Sequence, residues 1–174
     1  RLAAAKDITT LLRAAQIVIR KFPRALFVVV GDGEQKQQLS DFVTANSLEK
    51  NVKFTGNVPY TDVPAYFQAC DLFVLSSAWE DTPRVLMEAA LSSKAIVATD
   101  TTGTRDIVRD GVNGYVVAVR DFETMAEKII YLLEQDELRH TFASRSSAFV
   151  KGAFNESVLV EKLAGMWHTT ANLT

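Results

Sequence analysis

Residues 6–21 place Ile8, Leu11, Leu12, Ala15, Val18 and Ile19 at helical spacing, with Arg13 and Arg20 outside the stripe and Pro23 just beyond. The pattern predicts an amphipathic helix that stops before the proline. Residues 25–30 read Ala-Leu-Phe-Val-Val-Val and end at Gly31-Asp32-Gly33. An apolar run without alternation predicts a strand buried on both faces, as in a parallel sheet. A polar helix is expected over 34–47. The same unit then recurs, with strands predicted at 51–55, 71–75, 94–99 and 114–119. Helices are predicted at 61–69, 84–91, 104–109 and 121–134. In the last of these Phe122, Met125, Ile129, Leu132 and Leu133 share one side. Two further helices are expected near 137–151 and 155–170.

Strands that alternate with helices imply βα repeats around a parallel sheet. Crossover handedness and two-sided burial then favour an α/β, doubly wound, Rossmann-like fold with helices closing its C-terminal end. No linker or shift of composition divides the chain, so residues 1–174 are read as one domain. Ligands of such sheets lie beyond the carboxyl ends of the strands. That directs attention to residues 31–33, 55–58, 76–88 and 100–105.

Composition narrows the function by exclusion. A single cysteine, Cys70, rules out an internal disulfide framework and a cysteine-based zinc site. Its place before a strand suits a small core residue. A formal net charge of −2 gives no sign of a nucleic-acid partner. No apolar run approaches the roughly 18 residues a membrane span needs. No charged-then-apolar leader opens the chain, so the expected location is cytoplasmic. The chain begins with Arg1 rather than Met, and the expectation is a piece of a longer protein.

Gly31 and Gly33 follow a strand and precede a helix. Such a turn lets a phosphate or sugar approach backbone N–H groups at a helix N-terminus, or it is simply a tight connection. The third glycine of a dinucleotide fingerprint is absent, since position 36 is Lys. Glu80 and Glu88 stand eight residues apart around Pro83, which suits a helix start. Glu80 then lies in the loop and Glu88 within the helix. Both could face one cleft and accept hydrogen bonds from sugar or ribose hydroxyls, or they are a solvated surface pair. Glu88 sits among Val85, Leu86, Ala89, Ala90 and Leu91, which argues against an exposed face. Arg1 and Lys6 lie at the start of a helix, where the macrodipole disfavours cations. A bound phosphate would reverse that penalty; otherwise they are ordinary surface cations. His140 and His168 are read as surface or interhelical residues. No nucleophile triad and no metal-ligand cluster stands out.

The stretch Glu80-Asp-Thr-Pro-Arg-Val-Leu-Met-Glu88-Ala-Ala, with Lys94-Ala-Ile-Val-Ala-Thr-Asp100, resembles retaining glycosyltransferases of the GT-B fold. It is similar to the C-terminal, donor-binding domain of the "glycosyl transferases group 1" family. Arg1-Leu2 with Lys6, Val30-Gly-Asp-Gly-Glu34, Asn51-Val-Lys-Phe-Thr-Gly56, Arg105-Asp-Ile-Val and Asp110-Gly-Val-Asn-Gly114 follow that family's order along the whole chain. The resemblance implies transfer of a hexose-like sugar from a UDP- or GDP-sugar with retention of configuration, in carbohydrate or cell-envelope biosynthesis. It implies that Arg1 and Lys6 hold the donor diphosphate and steady the anionic leaving group. Glu88 would accept the ribose hydroxyls and Glu80 those of the sugar, beside the backbone around Asp81, Thr82 and Pro83. Gly31, Gly33 and Gly56 would line the donor. No metal and no further cofactor is implied. Asp81-Thr82 replaces the family's usual Gly-Phe, which bears on the choice of sugar. Ser92-Ser93-Lys94-Ala95 replaces its usual Cys-Gly-Lys-Pro, implying a differently shaped turn.

The acceptor would then belong to an N-terminal domain upstream, and could lie at the cytoplasmic face of a membrane. A fragment on its own would not turn over. Arg1 would mark the end of a first strand, so the strands at 25–30 and 71–75 should flank a gap or meet directly. The alternatives weighed are a non-catalytic nucleotide-sugar-binding or regulatory module and a nucleotide-sugar epimerase on the same fold. A phosphorylase would need a pyridoxal lysine, and a receiver domain an acidic cluster at its first strand; neither motif is present.

Overall fold

A computed structural model describes residues 1–81 and 83–153. Thr82, the helix expected near 155–170 and His168 lie outside the described residues. The chain enters through a 3-10 turn, Ala4–Lys6, and then helix α1, Ile8–Lys21. The helix begins at the first residue of its apolar stripe, two residues later than the predicted 6–21, because Asp7 takes a left-handed conformation (φ 42°) between turn and helix. The Asp7 carboxylate accepts from the Thr10 hydroxyl at 2.7 Å, which fixes that corner. Lys6 is thereby held off the helix axis.

Strand β1 (Phe27–Val30) and helix α2 (Lys36–Ala45) follow, then strand β2 (Val52–Gly56) and helix α3 (Val63–Ala69). Strand β3 (Leu72–Leu75), helix α4 (Arg84–Leu91), strand β4 (Ala95–Thr99), helix α5 (Thr104–Ile107) and strand β5 (Gly114–Val117) continue the alternation. Helices α6 (Phe122–Glu134) and α7 (Asp136–Ala153) close the described part. Within the described residues the predicted elements are present; the strands run shorter than their apolar runs.

All strand pairs are parallel, in two separate pieces, β1-β2 and β3-β4-β5. Numbered as in the doubly wound order 3-2-1-4-5-6, these are 3-2 and 4-5-6. No ladder joins β1 to β3, so these two strands do not meet directly. What ties the pieces at their carboxyl ends is the segment 1–6. The Leu2 N–H donates to the Asp32 carbonyl at 2.8 Å, and the Ala78 N–H donates to the Ala5 carbonyl at 2.8 Å.

Two apolar layers cover the sheet. One gathers Leu12, Val18, Val29, Val52, Ala95, Val97, Met125 and Leu132; the other gathers Phe67, Leu86, Ile96, Ala98, Ile107 and Val150. Successive side chains of a strand point to opposite faces. β4 therefore feeds both layers alternately and is buried at every position. β1 does not. Val29 enters the first layer, but Val28 and Val30 are 44% and 38% exposed. The expectation of a strand buried on both faces is corrected here. α4, α5 and α7 build the second layer over β3–β5, and none of the β1 side chains belongs to it.

The Asp110-Gly-Val-Asn-Gly114 motif is structural. Asn113 is buried, its Nδ2 donating to the Ile107 carbonyl while its Oδ1 accepts from the Arg109 N–H. A side chain at Gly114 would come within 2.6 Å of the Ile96 carbonyl oxygen, so only glycine fits beside β4. Asp110 accepts from the Val116 N–H at 2.9 Å.

Candidate active site

The loops leaving β1, β2 and β3 and the segment 1–6 bring the candidate residues to one end of the sheet. The firmest constellation is at the β3 end. Glu80 is nearly buried, and its Oε1 takes two short bonds, from Lys6 Nζ at 2.6 Å and Ser77 Oγ at 2.6 Å. The Lys6 carbonyl in turn accepts from Ser76 Oγ at 3.0 Å. Bonds with an ionised partner are the strong kind, and two of them on one oxygen define its position closely. An ammonium carries three donors and, among the described residues, one is spent, so Lys6 keeps capacity for an anion. Lys6 and Arg1 are thus unlike. Arg1 is far more exposed and makes a single long contact to Glu34, 3.4 Å, of the kind that contributes little.

Glu88 projects from α4 and is half-buried, as its apolar neighbours on the helix required. Its Oε1 accepts from the Tyr60 hydroxyl at 3.2 Å. Among the described residues no bond links Glu88 to Glu80. Each carboxylate has its own donor, so the eight-residue spacing serves two distinct positions. Pro83 immediately precedes α4 and offers its carbonyl to the Leu86 N–H. Asp81 is exposed beside it.

The glycine turn follows the second of its two sequence readings, a tight connection. Arg1, Val30, Gly31, Asp32, Gly33, Asn57 and Val58 line a cleft of about 600 Å³. The Gly31 N–H is already donated to the Gly56 carbonyl, and the Gly33 N–H to Asp32 Oδ1. Neither amide is left over for a phosphate, because the turn satisfies its own donors. What Gly33 provides is space: a Cβ there would lie 2.4 Å from the Leu2 carbonyl oxygen. The residue is glycine so that segment 1–6 can pass. Asp32 also pairs with Lys36 at 2.7 Å. The Lys36 ammonium, with help from the Gly33 N–H, holds the Asp32 carboxyl below its ordinary value. Gly56 lies under this pair, at φ 71°.

Sequence reasoning missed Ser77 and Tyr60. Ser77 sits at the strand end, three residues before Glu80, and that placement was a usable signal. Tyr60 lies just past the 55–58 stretch and is 78% exposed beside a proline, an unusual setting for so large a ring.

Comparison with known proteins gives this arrangement its class. Residues 1–148 match the family described as Glycosyl transferases group 1. The chain belongs to that family, and its α/β fold is that of GT-B glycosyltransferases. It is 28% identical over 167 residues to an alpha-D-kanosaminyltransferase of Streptomyces kanamyceticus, covering 96% of this chain and 43% of that protein. It is likewise 28% identical to a poly(ribitol-phosphate) alpha-N-acetylglucosaminyltransferase of Staphylococcus aureus, covering 97% of this chain and 34% of that one. The Anabaena protein HepE, solved in complex with UDP-glucose, superposes with a TM-score of 0.84 at 30% identity over 97% of this chain and 47% of its own. The C-terminal domain of a group 1 glycosyl transferase (LpcC) from Francisella tularensis superposes with a TM-score of 0.83 at 25% identity, covering 83% of that domain. The chain thus spans between a third and a half of the curated relatives' length.

Proposed function

We propose that this chain is the donor-binding domain of a retaining glycosyltransferase that takes a hexose-like sugar from a UDP- or GDP-sugar. The observation that carries the reading is the joined set Lys6, Glu80 and Ser77 at the carboxyl end of β3, where an ammonium with unspent donors meets a carboxylate held in place. In the reaction, the bond between the anomeric carbon and the diphosphate oxygen breaks with its electron pair on the diphosphate. The acceptor oxygen takes that carbon and passes its proton to the departing diphosphate oxygen. Lys6, with Arg1 at the cleft mouth, stabilises the charge growing on the departing diphosphate. Glu80 accepts from the sugar hydroxyls, and Glu88 from those of the ribose. Gly31, Gly33 and Gly56 keep the mouth free of side chains, and the backbone around Asp81, Thr82 and Pro83 borders the sugar.

Lys6 and Glu80 form an ion pair, which couples the phosphate and sugar positions: a phosphate that draws on the ammonium meets a lysine already tethered to the sugar's carboxylate. Retention is supported by the relatives' names, which specify alpha-linked products. An alpha-linked donor that gives an alpha-linked product has kept its configuration. The acceptor belongs to a further domain, in keeping with the greater length of the relatives, and the expected location is cytoplasmic. No helix among the described residues is long and apolar enough to cross a membrane.

Calorimetric titration with UDP, GDP and their glucose and mannose conjugates tests the reading. One nucleotide should bind, and Glu88→Ala should weaken it about tenfold through loss of charge-assisted bonds. Absence of any binding at millimolar ligand would refute the donor role. In the full-length enzyme, an Arg1→Ala, Glu88→Ala double variant should lose transfer; unchanged transfer would point to a non-catalytic module.

A further inference from the structure

We propose that Ser77 is the positioning residue that holds Glu80 in place while Lys6 turns to the phosphate; this rests on the donor-site reading above. Ser77 is fully buried at the end of β3. Its hydroxyl donates to Glu80 Oε1 at 2.6 Å. Its own carbonyl accepts from the hydroxyl of Thr99, also fully buried, at 2.6 Å. The chain of contacts therefore runs from the centre of the sheet, Thr99 on β4, through Ser77 to the carboxylate.

A serine three residues before a glutamate commonly caps a helix, the serine oxygen accepting a backbone N–H. That explanation does not hold here. No helix starts at Ser77, since α4 begins at Arg84, and the hydroxyl donates to the side chain of Glu80 rather than accepting from the backbone. The bond aims a carboxylate and does little else.

The direction of that aim follows from the accounting of the two oxygens. Ser77 and Lys6 both bond Oε1. Among the described residues Oε2 takes no bond from protein, and in this proposal it is the oxygen that accepts from a ligand hydroxyl. Of the two groups that hold Oε1, Lys6 is the one with competing business. When a diphosphate shares its ammonium, the neutral donor from Ser77 remains and keeps Oε2 pointed at the sugar. A residue that orients a reacting or binding group through one hydrogen bond acts on what that group does, not on the rest of the site.

The test separates sugar from nucleotide. The protein and its Ser77→Ala, Ser77→Cys, Glu80→Ala and Ser77→Ala/Glu80→Ala variants are titrated with UDP, UDP-glucose, GDP and GDP-mannose. For the nucleotide that binds, Ser77→Ala should weaken the sugar conjugate about tenfold and leave the free nucleotide within about twofold, as expected for one hydrogen bond to a charged group. Ser77→Cys, a weaker donor, should fall between. In the Glu80→Ala background the serine change should add nothing. The unaltered nucleotide affinity shows that the variant is folded. If Ser77→Ala binds the conjugate like the parent while Glu80→Ala does not, the positioning role is overturned and the donor reading stands. Equal loss for nucleotide and conjugate also overturns it, since that is a general structural role. If the parent binds none of the four probes, the donor reading fails and the role of Ser77 falls with it.

Discussion

β1 and β4 are parallel strands of one doubly wound fold, with similar apolar sequences, and they live in different surroundings. β4 is covered by helices on both faces and is buried throughout. β1 is covered on one face and leaves Val28 and Val30 open on the other. The two-stranded and three-stranded pieces also carry different parts of the site. The glycine turn and the cleft lie at the open piece, whereas Glu80, Ser77 and Glu88 are anchored to the enclosed one. A carboxylate that must be aimed needs buried neighbours to hold it, and only the enclosed piece supplies them.

That contrast can be broken most directly in the cores. Ile96→Ala on β4 should cost about 3 kcal/mol, because truncating a fully buried chain leaves a cavity. Val28→Ala on β1 should stay within about 0.5 kcal/mol, since the methyl groups it loses face water. Urea unfolding of the two variants measures the difference directly; similar losses would mean that β1 is covered in the working protein. The next effect belongs to the junction between the pieces. Gly33→Ala forces a methyl against the Leu2 backbone and should cost about 1–3 kcal/mol. It should also loosen segment 1–6, so nucleotide affinity falls with stability. Gly111→Ala, where a methyl meets open space but φ is 70°, should show only the smaller backbone cost of about 1 kcal/mol.

A further effect of about that size sharpens the account of what clamps the pieces together. α6 packs along α1, where the Arg13 guanidinium stacks 3.8 Å from the Phe122 ring and Lys21 pairs with Glu134. Asp121 caps α6 by accepting from the Thr124 N–H at 2.9 Å. Asp121→Ala should cost about 1 kcal/mol at neutral pH. That bond lowers the Asp121 pKa below the ordinary 3.8, so its contribution is complete above 3.8 and is lost as the pH falls through the lowered value. Parent and variant should therefore differ at pH 7 and converge toward strong acid. A difference that stays constant with pH would mean the cap does not act through the charged carboxylate.

Much of this was legible in the chain. The apolar stripes of α1 and α6, the strand ends and the boundaries of α4 follow from local periodicity and from Pro83, which depend only on near neighbours. That Glu80 and Lys6 serve one site was implied only by the resemblance to a family, and their ion pair was not foreseen. The two glycines were visible, but their purpose was not: a glycine that admits a phosphate and one that admits another stretch of backbone look the same in sequence. Ser77 was not singled out in the sequence, where an S-x-x-E pattern commonly marks a helix cap, and only its non-helical surroundings distinguish the two.

The sequence by itself determined the order of the elements, the parallel character of the sheet, the loops that carry the candidate chemistry and the eight-residue spacing of the two glutamates. Tertiary structure decided that β1 is open on one face, that Gly33 yields to Leu2, that Glu88 has Tyr60 for a partner, and that both donors to Glu80 fall on the same oxygen. The reason is one of range. Periodicity and turn chemistry act over a few residues, whereas Lys6 and Glu80 are 74 positions apart and meet only when the sheet places their loops at one end.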